Sequence, residues 1–393
     1  MAVVGKATVD ATGVDFLEWL GPDTSAVVFA LLRDPADIAR ASAVSRSWRT
    51  IVLATHFRKI QCLRACADVT NFVRIEQVSA SPSSSTNSDI NEEVAGSSAA
   101  AAWGNHEREQ RVFTHLAYAF LSRNISTCCI AGCVGASSTD NFPDESIENT
   151  LEPRDVVDLM PWYWSSGGQW DPSIPECLIY KLSSDLCLID EIRIKPFRAF
   201  FQDGMPIYSS QSVCFRFGCP KSPLRPEDLV SDENEGKLTA DNNYIWTYTS
   251  REFPMLQRNR LQSFKLPRSV LCIGGVVKVE FHGRIQKQAA DDLYYICVSN
   301  VQILGTPLSS EFGAAPCENG LVLKYCPDPD QIRCSELSGS LSKWRYIEAR
   351  FWQQVTGHGI QLNQELANRL LGPALQSVVE EDDDEMEDAC SVL

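Results

Sequence analysis

The chain has 393 residues, with 35 basic against 51 acidic side chains and a net charge of −16. That excess argues against nucleic-acid phosphates and anionic membrane surfaces as main partners. A hydrophobic content of 44% with 9% aromatics excludes a disordered chain and leaves room for two or three domains. Residues 1–14 read as a loose leader without a charged-then-apolar signal pattern. A helix is predicted to open at Gly21-Pro22, where the missing N–H of Pro22 is not needed and Asp23 complements the positive helix end. Val27, Val28, Leu31 and Leu32 then form an apolar stripe at helical spacing. Asp34-Pro35 repeats the start signal, with Asp34 as N-cap and Asp37 three residues on, for a second helix carrying Ile38 and Ala41. Val44, Trp48, Ile51 and Val52 mark a third amphipathic helix, with Arg46 and Arg49 on its polar side.

Three short helices bury little apolar surface among themselves, so some of Leu20, Val28, Leu31 and Trp48 is expected to await a partner. This stretch resembles an F-box. Leu20, Pro22, Asp23, Val28, Phe29, Leu32, Asp37, Ile38 and the intact Val44-Ser45-x-x-Trp48-Arg49 stand at matching or adjacent places of that pattern. Gly21, inserted between leucine and proline, and Thr24, at a usually apolar position, depart from it. The resemblance implies docking on a Skp-type adaptor, and through it a cullin, by Leu20, Pro22, Val28, Leu31, Leu32, Ile38, Val44 and Trp48. The alternative for this stretch is a plain helical hairpin packed on its own domain.

Ile51, Val52, Phe57, Ile60, Leu63 and Val73 extend the pattern, so the first module is expected over residues 15–75. Residues 79–104 are rich in Ser, Ala and Gly and read as a flexible linker. Val112, Leu116, Ala119 and Phe120 predict a helix within 105–133 that leads into the second unit. From there the period alternates: Leu178–Leu182, Leu186–Ile194, Val213–Phe217, Tyr244–Tyr248, Val276–Phe281 and Tyr294–Leu304 are rich in β-branched and aromatic residues between turn residues. An antiparallel sandwich or barrel follows.

The order Ala136-Ser-Ser-Thr-Asp-Asn141, Ser146-Ile-Glu-Asn149, Tyr163-Trp-Ser-Ser166, Leu178-x-Tyr180-x-Leu182, with a closing Val301-Gln-Ile-Leu-Gly305, resembles a discoidin-type, galactose-binding-like jelly roll over residues 134–307. With the first module, it is similar to a group of plant F-box proteins. The fold class expected is therefore an α+β multidomain chain: a three-helix F-box, a flexible linker, an antiparallel β-sandwich and C-terminal helices. Residues 308–378 are read as a mixed helical region, with helices at Lys343–Trp352 and Leu362–Leu371, and 379–393 as an acidic, solvated tail.

Fifteen cysteines without any Cys-x-x-Cys predict free, buried thiols in a reducing compartment. Cys62/Cys66 and Cys128/Cys129/Cys133 lack the ligand spacing of a zinc site with His106 or His115, so no metal is expected, and no cofactor either. The longest apolar run, Val270–Val277, is too short to span a bilayer. An intracellular protein of nucleus or cytoplasm is expected. No Gly-x-Ser-x-Gly elbow, P-loop or His-Glu-x-x-His appears, and His282 beside Gly283 reads as a turn residue. Binding is the better prospect. Trp162 and Trp170 in a Gly/Ser-rich loop, and Phe200 and Phe201 near Gly204, are the residues expected to be exposed for a protein substrate or a glycan, while the resemblance to the jelly roll implies that Trp164 packs in the core. The reading is a non-catalytic substrate receptor of a Skp–cullin–F-box ubiquitin ligase; a lectin-like module and a catalytic sandwich hydrolase are the alternatives.

Overall fold

The computed structural model describes residues 15–54, 56–77, 96–122, 126–224 and 237–327. All lie within one compact unit, Met1–Arg333. The expected helices at 343–352 and 362–371, the acidic tail and residues 79–95 of the expected linker lie outside the described residues.

The front of the chain forms α1 (Phe16–Ala30), α2 (Pro35–Val44), α3 (Arg46–Ala54) and α4 (Phe57–Ala65). Asp15 caps α1, accepting the Leu17 N–H at 3.1 Å, and Asp34 caps α2, accepting from Ala36 at 2.8 Å. Gly21 breaks α1 with φ 70° and ψ 167°, a conformation that costs a side-chain-bearing residue most, so the inserted glycine is where the helix restarts at Pro22. Ser25 Oγ secures the break by donating to the Gly21 carbonyl at 2.7 Å. Leu17, Phe29, Ile38, Ala41, Val52 and Phe57 make a small core of their own.

Strand β1 (Phe72–Gln77) and helix α5 (Gly96–Leu121) follow. The helix starts earlier and ends sooner than the 105–133 segment expected. Ala99–Ala102, read as linker, are the strongest helix formers and extend it at the front. Beyond it, Thr127–Cys128 and β2 (Ile130–Ala136) are already strands.

The long strands are β3 (Glu176–Leu182), β4 (Leu186–Arg198), β5 (Ser210–Pro220), β6 (Tyr244–Thr249), β7 (Gln262–Ile273), β8 (Val276–Arg284) and β9 (Cys297–Pro307). They build two antiparallel six-stranded sheets, one ordered β6-β5-β8-β3-β2 and the other β7-β4-β9 followed by Thr127–Cys128, with short edge pieces added to each. Alternate residues from both, among them Tyr180, Phe215, Phe217 and Phe281 against Ile192, Ile194, Val270 and Ile303, interdigitate in one core, which makes the pair a β-sandwich. Trp164 is fully buried in it, as the resemblance to the jelly roll implies.

One end of the second sheet is buried on both faces. Cys187 and Ile189 of β4 face the sandwich core, whereas Leu186 and Leu188 face outward under α4 and α5. Past Asp190 the alternation changes phase, with Ile192 and Ile194 facing inward; the pairing with β9 skips a residue there, as a β-bulge requires. The outer layer is closed by β10 (Phe312–Cys317) and β11 (Gly320–Tyr325), a hairpin where a mixed helical region was expected. Leu321-Val-Leu-Lys-Tyr325 had the composition of a strand and Asn319-Gly320 that of a turn. Strand β1 pairs with β11 in parallel, an exception in an otherwise antiparallel set, because it arrives from the helical module rather than from a hairpin.

The helical module and the sandwich therefore share a core instead of standing apart on a tether. Cys62, Val112, Phe113, Leu116 and Phe120 pack with Leu271, Ile273, Phe312 and Leu323. One ion pair locks the junction: Arg268 of β7 donates both terminal nitrogens to Asp68, at 2.6 and 2.5 Å, and the Leu271 N–H donates to the same carboxylate at 3.0 Å. Burial pushes the Asp68 carboxyl up, but Arg268 and the Leu271 amide outweigh it and hold the group below its ordinary value. A depressed carboxyl contributes stability above its unfolded pKa, about 3.9, and that contribution is lost as pH falls through the folded value. Asp68→Asn is accordingly expected to lower Tm at pH 7 and to flatten the fall of Tm below about pH 4, measured by thermal melts across pH.

Candidate functional site

Two surfaces carry the residues singled out by the sequence. The first is the helical module. Trp19 (83% exposed), Leu31 (74%), Val27 (64%), Val44 (61%) and Leu20 (40%) present large apolar side chains to solvent. Val27 on α1 and Leu31, its C-cap with helical backbone angles, lie one turn apart and so share a face. An open groove of about 640 Å³ adjoins Leu31, lined by Ala30, Arg33, Gln61, Arg64 and Leu121. Arg64 donates to the Ala30 carbonyl at 2.9 Å, the last of α1, and Gln61 Nε2 to the Leu32 carbonyl just beyond it at 3.0 Å, which fixes the end of the helix.

Of the residues assigned to adaptor docking, Leu20, Leu31 and Val44 are exposed. Val28 is half-buried, and Pro22 opens the helical run after the Gly21 break. Ile38 is fully buried in the module's own core, and Leu32 and Trp48 pack against that core. Trp48 meets Phe29 edge-on with ring centroids 5.4 Å apart, and its Nε1–H donates to the Asp15 carboxylate at 2.8 and 2.9 Å. Ser45 and Trp48 of the Val-Ser-x-x-Trp-Arg half thus support the face from beneath: Ser45 Oγ accepts the Trp48 N–H and Trp48 ties α3 to the start of α1. Trp19 and Val27 were not assigned. Val27 was legible as part of the α1 stripe; Trp19 was not, because one side chain ahead of a break has no periodicity to place it.

The second surface is an end of the sandwich. Tyr163 stacks on Phe197 at 3.9 Å and 8°, and Phe200 and Phe201 sit on that stack, 5.6 Å apart and edge-to-face. Beside them lies a cavity of about 120 Å³ whose lining includes Asp140, Glu145, Phe201, Gln202, Tyr208 and Tyr295. Glu145 accepts the Tyr163 hydroxyl at 2.5 Å through Oε1, and its buried Oε2 has no hydrogen-bond partner. Burial raises the carboxyls of Asp140 and Glu145, and burial pushes Tyr208 up to about 12. The structure brings Phe200 and Phe201 together but not the two tryptophans with them. Trp170 is exposed (72%) and Trp162 half-buried, with its indole N–H buried and unpaired. Neither has a ring contact among the described residues. The sequence marked the aromatics here; it gave no signal that Asp140 and Glu145 would converge on them.

No helix among the described residues is long and apolar enough to cross a membrane.

The geometry is that of a short helical module with an uncovered apolar face, fused to a β-sandwich whose end carries an aromatic, carboxylate-lined hollow. No protein-family model matches the chain. F-box protein At4g00755 of Arabidopsis thaliana is 48% identical over 301 residues, 76% of this chain and 78% of that one. The chain belongs to the F-box proteins. Among solved structures it is similar to CBM32-3 from a family 31 glycoside hydrolase of Clostridium perfringens (11% identity, 44% of this chain and 90% of that one, TM-score 0.29). It is likewise similar to an F5/8 type C domain of a Bacteroides fragilis protein (8% identity, 47% and 100%, TM-score 0.31).

Proposed function

We propose that the protein is the substrate-receptor subunit of a Skp–cullin–F-box ubiquitin ligase, acting in the nucleus or cytoplasm. The observation that carries this is the uncovered set Trp19, Leu20, Val27, Leu31 and Val44 on a helical module whose own core is complete without them. Such a face on an F-box protein is covered by a Skp-type adaptor, and the adaptor links it to a cullin. The protein performs no bond chemistry in this scheme. It raises the local concentration of a protein substrate near a ubiquitin-charged enzyme. The shared core between helices and sandwich suits that task, since it holds the Phe200–Phe201 end in a fixed direction from the docking face.

The test is co-expression of the full chain with a Skp-type adaptor. Co-elution as a stoichiometric complex is expected, and a chain that elutes alone overturns the reading. A second reading, a lectin-like carbohydrate-binding protein, is favoured by the hollow beside Phe201, where carboxylates and phenols line an aromatic edge. Retention on a glycan array, without adaptor and lost in Phe201→Ala, would select it.

A further inference from the structure

The outward face of the β6-β5-β8-β3-β2 sheet carries a cluster that neither reading uses. Strands β5 and β8 pair so that Cys214 opposes Glu280 and Ser212 opposes His282. Val213 and Phe215 on one strand and Val279 and Phe281 on the other point into the core, so Cys214, Glu280 and His282 project together from the opposite side. Cys214 Sγ lies 3.2 Å from Glu280 Oε2 and 3.5 Å from His282 Nε2, and the three ligand atoms all fall within 4.8 Å of one another. Cys214 is 6% exposed, while Glu280 and His282 are half-buried, which leaves solvent access from one side.

We propose that Cys214, Glu280 and His282 form a zinc-class transition-metal site. The distances carry it. Metal legs of about 2.3 Å to sulfur and 2.0–2.1 Å to imidazole nitrogen, opened to a tetrahedral angle, set sulfur and nitrogen about 3.5 Å apart. The Sγ–Nε2 separation is 3.5 Å. The sulfur–oxygen edge of the same tetrahedron is also about 3.5 Å; the observed 3.2 Å needs only a few tenths of an ångström of side-chain movement. A thiolate, an imidazole and a carboxylate suit zinc and its neighbours rather than magnesium or calcium. Three protein ligands leave a fourth position for water.

The surroundings orient the carboxylate for that role. Lys278 Nζ at 2.9 Å and Arg216 at 3.4 Å both bind Glu280 through Oε1, leaving Oε2 as the oxygen that faces the thiol. Asp241 in turn accepts from Lys278 at 2.8 Å and from Arg216 at 2.6 Å, so each nearby cation is shared with a second carboxylate. Arg216 also lies over the Trp246 ring, 4.6 Å from its centroid, which holds the guanidinium in place. Partners of this kind fix first-contact ligands in known metal sites. On binding, the Sγ–H bond breaks, the sulfur–metal bond forms from the sulfur electron pair, and the proton leaves to solvent.

Cobalt(II) is the probe. The full chain, stripped with a chelator and titrated with Co²⁺ at neutral pH, is expected to develop a thiolate-to-cobalt charge-transfer band and visible bands of tetrahedral intensity, all displaced by Zn²⁺. Cys214→Ser should remove the charge-transfer band, and His282→Ala should weaken Co²⁺ binding by at least about tenfold. Cys177→Ser, which alters the thiol opposite Glu280 on β3, should leave the band in place. If Cys214→Ser does not fold by circular dichroism, the half-exposed His282→Ala decides. No band in the starting protein, or a band unchanged in the folded variants of Cys214 and His282, overturns the site.

Discussion

Trp19→Ala and Leu31→Ala are each expected to weaken capture of a Skp-type adaptor by about 30-fold or more while leaving the thermal melt of the chain unchanged. Both side chains stand largely in solvent, so the free protein loses little packing when they are truncated. In the proposed complex they are the central apolar anchors, and truncating such anchors typically costs roughly 2 kcal/mol or more, which is that factor in Kd. Ile38→Ala and Trp48→Ala should behave in the opposite order. Ile38 is fully buried and Trp48 braces Phe29 and bonds Asp15, so their loss should first destabilise the helical module, by about 2–5 kcal/mol at such core positions, and reduce adaptor binding as a consequence. Titration calorimetry or surface capture beside differential scanning on the same four variants separates the two groups. A Trp19→Ala variant that binds as tightly as the starting chain would remove that side chain from the docking face.

That division was only half legible in the sequence. The caps at Asp34 and the stripe of Val27, Val28, Leu31 and Leu32 mark helices because spacing reports periodicity directly. Which side of a stripe is covered from within and which awaits another chain depends on where the other helices fall. Ile38 and Leu31 look alike in one dimension, yet one is sealed and the other 74% exposed. The sandwich shows the same limit. The alternation through Ile192, Arg193, Ile194 and Lys195 announces a one-sided strand, but Leu186-Cys187-Leu188-Ile189 is apolar without a break. That run is the trace of burial on both faces, and so of the layer formed by α4, α5 and the β10–β11 hairpin. The expectation of two units on a tether rests on the small, polar composition of residues 79–104, and composition does not report whether the segments on either side of it share a core. The Cys214, Glu280 and His282 cluster was invisible for a simpler reason: its members lie on strands far apart in sequence, and only the β5–β8 register brings them together.

Glu176→Ala is expected to remove a large share of the stability of the sandwich, lowering Tm by roughly 10 °C. Glu176 and Arg284 form an ion pair with both side chains buried, 3% and 0% exposed. Removing one member leaves a guanidinium in the interior without counter-charge, a change that costs about 3–5 kcal/mol where it has been made in other proteins. Against a typical total of about 5–15 kcal/mol that is a large share. Buried pairs are often replaceable by apolar residues at little cost, so the double variant Glu176→Leu/Arg284→Met would ordinarily be expected to recover. Here it should not. Arg284 also donates to the carbonyls of Gly167 at 2.8 Å, Tyr294 at 2.8 Å and Ile174 at 3.3 Å, and to Ser166 Oγ at 3.1 Å. An apolar pair would leave the Ile174 carbonyl without a donor, at about 1–3 kcal/mol, and would reduce the Gly167 carbonyl, the Tyr294 carbonyl and Ser166 Oγ to one donor each, from Ser166 Oγ, the Gln169 N–H and the Ile296 N–H. The guanidinium is thus the peg on which the 166–174 loop and the Tyr294–Tyr295 segment hang, and Tyr295, which lines the end hollow, depends on it for its position. Urea unfolding of the single and double variants is the measurement. A double variant as stable as the starting chain would show that the charge pair, and not the carbonyl network, is what Arg284 contributes.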